Sequence, residues 1–179
     1  MNEGLIPRRY AKALYKYAQE HQCTQQVYAD TQRLEEAFAT HPALAKALGN
    51  PAINAAEKEQ LLVTAAGSEA GKAILRFINL VILNRREEFL RAALLAFQDI
   101  YRQENGIARV TIVTATTLSD DIMARIKGLL KEQLKKELEY VYEIDASLIG
   151  GFILRVDSMQ LDASIQNELK KLRIKLLNK

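Results

Sequence analysis

The chain has one cysteine, Cys23, no tryptophan, two histidines and three prolines in 179 residues. A single thiol excludes an internal disulfide and any site built from several cysteines, and it fits a reducing compartment. An excess of one charge is also missing. Twenty-five basic residues face 22 acidic ones, a net +3, and the two signs interleave, which argues against a dedicated polyanion binder. Long apolar runs are absent as well. Leu80 to Leu83 is closed by Asn79 and Asn84, and nothing approaches the ~20 residues that span a bilayer. Arg8, Arg9 and Lys12 are not followed by an uninterrupted apolar segment, so no secretory signal is indicated. Membrane association is therefore expected only through a partner. What is present, 49% hydrophobic and 26% charged residues, is globular composition. It is enough for one domain or two small ones.

Residues 1–105 read as helix throughout. Pro7 suits a first helical turn, and Ala11, Leu14, Tyr15 and Ala18 follow at helical period. Tyr10, Ala13 and Tyr17 widen that stripe, so the first helix meets more than one neighbour. Thr24 is the expected N-cap of a second helix carrying Val27, Thr31, Leu34 and Phe38. His41-Pro42 stops it, and a short helix from Ala43 to Leu48 ends at Gly49-Asn50-Pro51. Asn54 caps the fourth helix and Gly67 closes it. The fifth, Glu69 to Asn84, is apolar nearly all round and belongs at a bundle centre or an interface. The sixth, Glu87 to Asn105, carries Leu90, Leu94, Phe97 and Tyr101. Six helices on short loops predict an all-α six-helix bundle.

The period changes after Gly106. Arg109 to Thr114 is β-branched and alternating, the mark of a strand. Ser119 is read as the next N-cap, with Leu118 and Met123 as a hydrophobic staple, and Ile122, Ile126, Leu129, Leu130 and Leu134 as the buried face. Leu138 to Ile144 and Phe152 to Val156 alternate again. The last two strands are expected to pair as an antiparallel hairpin around Gly150-Gly151. Leu161, Ile165, Leu169, Leu172 and Leu176 then mark a closing helix. The predicted class is α+β: the bundle over 1–105, then a small β-α-β-β-α domain over 106–179.

Catalytic chemistry finds no footing. Gly150-Gly151 enters a strand with no Lys-Ser or Lys-Thr following, so the pair reads as turn residues and not as a phosphate loop. Asp145, Asp157 and Asp162 each stand at a predicted turn or helix start, where Asp bonds locally, and a metal cluster is the weaker reading. His21 and His41 lie at helix ends, no Ser or Cys signature accompanies them, and Cys23 reads as a small apolar filler. Tyr10, Tyr15, Tyr17 and Tyr28 at helical spacing read as core or protein interface ahead of a base-stacking platform. The run Lys170-Lys171-Leu172-Arg173-Ile174-Lys175 reads as a solvated face that complements a helix dipole. A nucleic-acid adaptor using that basic helix is the rival reading, with steeply salt-dependent binding as its signature.

Asp145-Ala146-Ser147-Leu148-Ile149-Gly150-Gly151-Phe152, followed by Asp162-Ala163-Ser164-Ile165 and Leu169, resembles the C-terminal signature of the ATP synthase delta subunit family, which includes the oligomycin-sensitivity-conferring protein. Further matches run in the family's order: Arg9-Tyr10-Ala11-Lys12-Ala13-Leu14, then Leu48-Gly49-Asn50-Pro51-Ala52-Ile53 with Lys58, then Phe77-Ile78-Asn79-Leu80-Val81 with Asn84 and Arg86, then Gly106 with Val110, Thr114-Ala115 and Leu118. Ala146 and Ala163 depart from the family's frequent proline and glycine. The resemblance implies a peripheral-stalk subunit of an F-type ATP synthase, non-catalytic and without a cofactor or metal. It implies that the N-terminal domain grips N-terminal helices of the alpha subunits and the C-terminal domain holds the b subunits, with no nucleic acid. The expected alpha-subunit interface draws on Tyr10, Leu14, Tyr17, Ile74, Phe77, Ile78 and Val81, some of them core. The expected b-subunit interface uses Phe152, Leu154, Leu169, Leu172 and Leu176. A chain without a transit-like leader fits the cytoplasmic face of a bacterial membrane.

Overall fold

The structure, a computed structural model, describes residues 4–117, 120–134, 136–156 and 159–177. It divides into two compact units, 1–101 and 102–179, the division falling inside a helix. Among the described residues the element order is α1 (Leu5–Glu20), α2 (Thr24–Thr40), α3 (Pro42–Gly49), α4 (Ala55–Ala66), α5 (Lys72–Leu83), one turn of 3-10 helix (Glu87–Phe89), α6 (Leu90–Glu104), β1 (Ile107–Thr114), α7 (Asp120–Leu134), β2 (Glu137–Ile144), β3 (Gly151–Val156), β4 (Met159–Ser164) and α8 (Ile165–Leu177). The mixed helix-and-sheet class agrees with the expectation from sequence.

In the first unit the helices are bounded by local chemistry. Asn54 and Glu57 form a reciprocal capping box, with the Glu57 N–H donating to Asn54 Oδ1 at 2.9 Å and the Asn54 N–H to Glu57 Oε2 at 3.3 Å. Gly67 closes that helix at φ +84°. Cys23, not Thr24, occupies the N-cap of α2. The sixth helix begins with a 3-10 turn, which carries Glu87 to Lys58 at 3.3 Å in a largely dry ion pair. One core cluster draws on all six α-helices of this unit, from Leu14 and Ala18 through Leu34, Leu48 and Leu62 to Ile78 and Phe97.

Fully buried Asp30 joins α2 to α5. Its carboxylate accepts from the Gly71 N–H at 3.0 Å, from Gln26 Nε2 at 3.2 Å and from Arg33 Nη2 at 2.6 Å. A carboxylate beside the N-terminus of α5 also opposes the positive end of that helix dipole. Gly71 permits the approach, since a Cβ there would sit 3.0 Å from Asp30 Oδ2.

In the second unit the strand order is β2-β1-β3-β4. Two expectations are corrected here. The predicted hairpin between Leu138–Ile144 and Phe152–Val156 does not form, because β1 lies between them, parallel to β2 and antiparallel to β3. The reason lies in β1, whose Ala108, Val110, Ile112 and Val113 are all buried and require neighbours on both sides. Glu137, Glu139 and Glu143 suit β2 to an edge. Leaving β2, the chain bonds across the end of β1, the Asp145 N–H donating to the Thr114 carbonyl at 2.9 Å, and returns as β3. The second correction concerns the closing helix, which starts at Ile165. Met159–Ser164 is a fourth strand, and the antiparallel hairpin is β3–β4. The four-residue step from Leu161 to Ile165 satisfied the helical pattern without belonging to it. The expected cap at Ser119 and staple at Leu118 lie outside the described residues.

Gly151 sits at φ +81° opposite Ser164, and a Cβ there would run into the Ala163 carbonyl. At Gly150 a Cβ would meet only the mobile end of Ile165. We expect Gly151→Ala to destabilise the second unit by about 2–3 kcal/mol, from left-handed strain plus the backbone collision. Gly150→Ala is expected to cost under ~1 kcal/mol. Urea unfolding of the two full-length variants checks this, and equal midpoints would refute it.

Candidate functional site

Of the acidic residues read above as a weaker metal candidate, Asp145 and Asp162 are engaged in local hydrogen bonds. Asp145 Oδ1 accepts the Ser147 N–H at 2.9 Å, and Asp162 Oδ1 accepts the Ser164 N–H at 3.0 Å. Hydrogen bonding from the Ser147 and Ser164 side chains, and next from these backbone N–H groups, holds both carboxyl groups below the ordinary aspartate range. Ser164 in turn caps α8 by accepting the Asn167 N–H at 3.2 Å. Asp157 lies outside the described residues. Among the described residues no group of three or more His, Cys, Asp and Glu is placed to hold a metal ion. The tyrosines are dispersed. Tyr10 meets Phe77 edge-on, Tyr15 tilts on Phe97, Tyr17 stacks on His21, and Tyr28 stacks on Tyr101.

Among the uncovered apolar surfaces of the described residues, two, one on each unit, include residues predicted for the interfaces; a larger apolar groove between α2, α3 and α4, lined by Leu44, Ile53 and Leu61, includes none of them. On the first unit, α1 and α5 run antiparallel, since Ile6 and Arg9 neighbour Leu80 while Tyr17 neighbours Ala73. Between them lies a groove of about 360 Å³ floored by Tyr10, Ala13, Leu14, Ala73, Phe77 and Leu80. Of the residues predicted for an alpha-subunit interface, Tyr10, Leu14, Tyr17 and Phe77 line this groove. Ile74, Ile78 and Val81 do not. At 0%, 0% and 2% exposure they are wholly core, whereas Leu14 and Phe77, also buried, reach the base of the groove. Sequence reasoning missed Arg76 and Leu80, one helical turn apart on the open side of α5, although Leu80 stood out of the Phe77–Ile78–Val81 stripe. Arg76 Nη1 donates to the Tyr17 hydroxyl at 2.6 Å, bridging the groove's rim.

The second surface is on α8 and β4. One face of the sheet carries Val110 and Ile112, Leu138 and Tyr140, Phe152, Leu154 and Val156, and it packs on Met123, Ile126, Leu130 and Leu134 of α7. Leu154 and half-buried Phe152, predicted for the stalk contact, are therefore used internally. Leu169, Leu172 and Leu176 are 54%, 54% and 76% exposed. Ile165 extends their stripe, and Leu161 and Met159 on the edge strand are bare as well. Ile165, four residues before Leu169 and in the same predicted helical stripe, was the available signal. Lys170, Lys171, Arg173 and Lys175 share α8 with this stripe, and Lys171 pairs with Glu168 at 2.7 Å.

Comparison with known proteins is consistent along the whole chain. Residues 6–176 match the family model for the ATP synthase delta (OSCP) subunit. "ATP synthase subunit delta" of Phocaeicola vulgatus is 34% identical over 177 residues, covering 98% of this chain and 96% of the relative. The protein of the same name from Parabacteroides distasonis is 35% identical, with 99% and 98% covered. The fold resembles a chain in the cryo-EM structure of the Toxoplasma gondii mitochondrial ATP synthase hexamer, with TM-score 0.74, 22% identity, and 96% and 97% of the two chains covered. Motifs, fold and relatives agree, and the chain belongs to the ATP synthase delta (OSCP) subunit family.

Proposed function

We propose that these two apolar surfaces are the two grips of a stator. The α1/α5 groove takes an N-terminal helix of an alpha subunit of the catalytic head, and the α8 stripe with the β4 edge takes the C-terminal helices of the b subunits. As a member of its family the chain is a peripheral-stalk subunit of an ATP synthase, structural and not catalytic. The observation that carries the division of labour is an apolar groove on one unit and an exposed apolar stripe on the other, because an amphipathic helix needs a groove or face of this kind to cover its apolar side. Residues 1–105 then act as a six-helix head-binding domain and residues 106–179 as the stalk-binding domain. Among the described residues no helix is long and apolar enough to cross a membrane, so the complex supplies the anchor, at the cytoplasmic face of a bacterial membrane. A subunit so held stops the head from turning with the rotor, and rotation becomes conformational work at nucleotide sites on other chains.

The test is co-purification of the tagged full-length chain with the synthase head and the b subunits. Recovery of both is expected, and recovery of neither would overturn the reading. The comparisons give the nucleic-acid adaptor no support, and the basic residues of α8 flank an apolar stripe of the kind a protein helix would cover.

A further inference from the structure

The α1/α5 groove has a charge pattern that specifies its occupant more narrowly than apolarity does. At one end stand Arg9 and Arg86, beside Ile6 and Leu80. At the other, Arg76 meets Tyr17, and the furrow continues past Lys72 and His21. Among the described residues, no Asp or Glu side chain lines any part of this furrow. Among the described residues, none of Arg9, Arg76 and Arg86 takes part in an ion pair. In a chain with almost equal numbers of acids and bases, a carboxylate-free furrow with four cations is a local bias. The two helices explain it: α5 contains no acidic residue, and α1 carries only Glu20, at its last position.

From this we infer that the groove selects an acidic amphipathic helix, one whose apolar stripe is flanked at both ends by carboxylates. The inference rests on the reading that a helix docks here, and it adds which helix. Arg9 and Tyr17 are eight positions apart on α1, about 12 Å at 1.5 Å per residue. The matching carboxylates therefore stand roughly two turns apart along the ligand, one to meet Arg9 and Arg86 and one to meet Arg76. An uncharged helix laid over this floor would strip water from three guanidinium groups and return nothing. A carboxylate accepts from a guanidinium in a two-pronged geometry, and Arg76 is already oriented for it. Its Nη1 is held by the Tyr17 hydroxyl at 2.6 Å, and the remaining N–H groups stay free to donate. Arg86 lies with its Cζ 5.9 Å from the Phe89 ring centre, which steadies a second guanidinium. A polyanion such as nucleic acid would satisfy the arginines but leave the Tyr10–Phe77–Leu80 floor uncovered. A helix with both features covers everything present.

The test uses the full-length chain and two synthetic helices of about 20 residues with identical leucine stripes. One carries glutamate at both flanking positions and the other lysine. By fluorescence anisotropy at low ionic strength, the glutamate helix is expected to bind at least about tenfold tighter than the lysine helix, and the ratio should shrink as salt is raised. Arg76→Gln and Arg86→Gln should each weaken the glutamate helix about three- to tenfold and leave the thermal midpoint of the protein unmoved. Equal binding of the two helices would overturn the charge selection and leave the docking reading standing. Binding of neither would overturn docking itself. Tighter binding of a duplex oligonucleotide than of the glutamate helix would overturn the choice of a protein partner.

Discussion

Replacing Asp30 by alanine is expected to lower the thermal midpoint of the helical unit by about 10–20 °C. The carboxylate is wholly buried and accepts three hydrogen bonds, one of them from the backbone of Gly71 and one from a guanidinium. Losing charge-assisted bonds and leaving a dry N–H unpaired costs about 2–3 kcal/mol. The Arg33 pair adds less, since that side chain is about one-third exposed and water screens it. A domain of this size shifts by about 4–8 °C per kcal/mol. Asp30→Asn keeps an acceptor for the Gly71 N–H and should lose about half as much. The helical circular-dichroism signal followed on heating measures both, and a midpoint within ~2 °C of the parent for Asp30→Ala would refute the role. Because Asp30 fixes the start of α5, the same variant should weaken helix docking in the α1/α5 groove.

A second large effect is expected without any loss of stability. Leu169→Glu with Leu172→Glu places two charges on the bare stripe of α8, where neither side chain has a core to leave. Glutamate is a good helix former, and Arg173 stands four residues after position 169, so the helix itself should tolerate the change within ~0.5 kcal/mol. Binding is another matter. Two apolar anchors of an interface each contribute about 2 kcal/mol, and the sum corresponds to roughly a 1000-fold loss of affinity for the b subunits. Pull-down of b by the full-length variant, alongside its unfolding curve, separates the two quantities. Retained b binding would remove α8 from the stalk contact.

The helical unit was legible in sequence because its signals are local. Asn54 with Glu57, Gly67 at positive φ, and the stripes of Val27–Leu34–Phe38 and Leu90–Leu94–Phe97 each lie within a few turns of one another. The sheet was legible strand by strand but not in its pairing. Gly150-Gly151 between two alternating runs looks like a hairpin. What prevents one is the need of β1 for two neighbours, a property of the whole sheet. The start of α8 was misplaced for a related reason: Leu161 fits period two and a four-residue step equally well until its partner on β3 is known. The docking surfaces were half legible. On α5 the apolar residues surround the helix, and only packing assigns Ile74, Ile78 and Val81 to the inside and Leu80 to the outside. The arginines at the groove's ends were hidden because Arg9, Arg76 and Arg86 come from separate segments and line one groove only when α1 and α5 run antiparallel.

β4 passes into α8 without a loop, Ser164 ending one and Ile165 beginning the other. On the proposed reading, that junction makes the edge strand the tether of the partner docked on α8. The β3–β4 ladder runs from Gly151 opposite Ser164 to Val156 opposite Met159, and antiparallel hydrogen bonds lie across the strand direction. A pull transmitted along β4 therefore loads these bonds together, in shear, instead of one after another as in peeling. If α8 is the stalk contact, the strand next to it is thus arranged to resist sustained tension, with Ser164, the last residue of β4, also capping α8 through the Asn167 N–H.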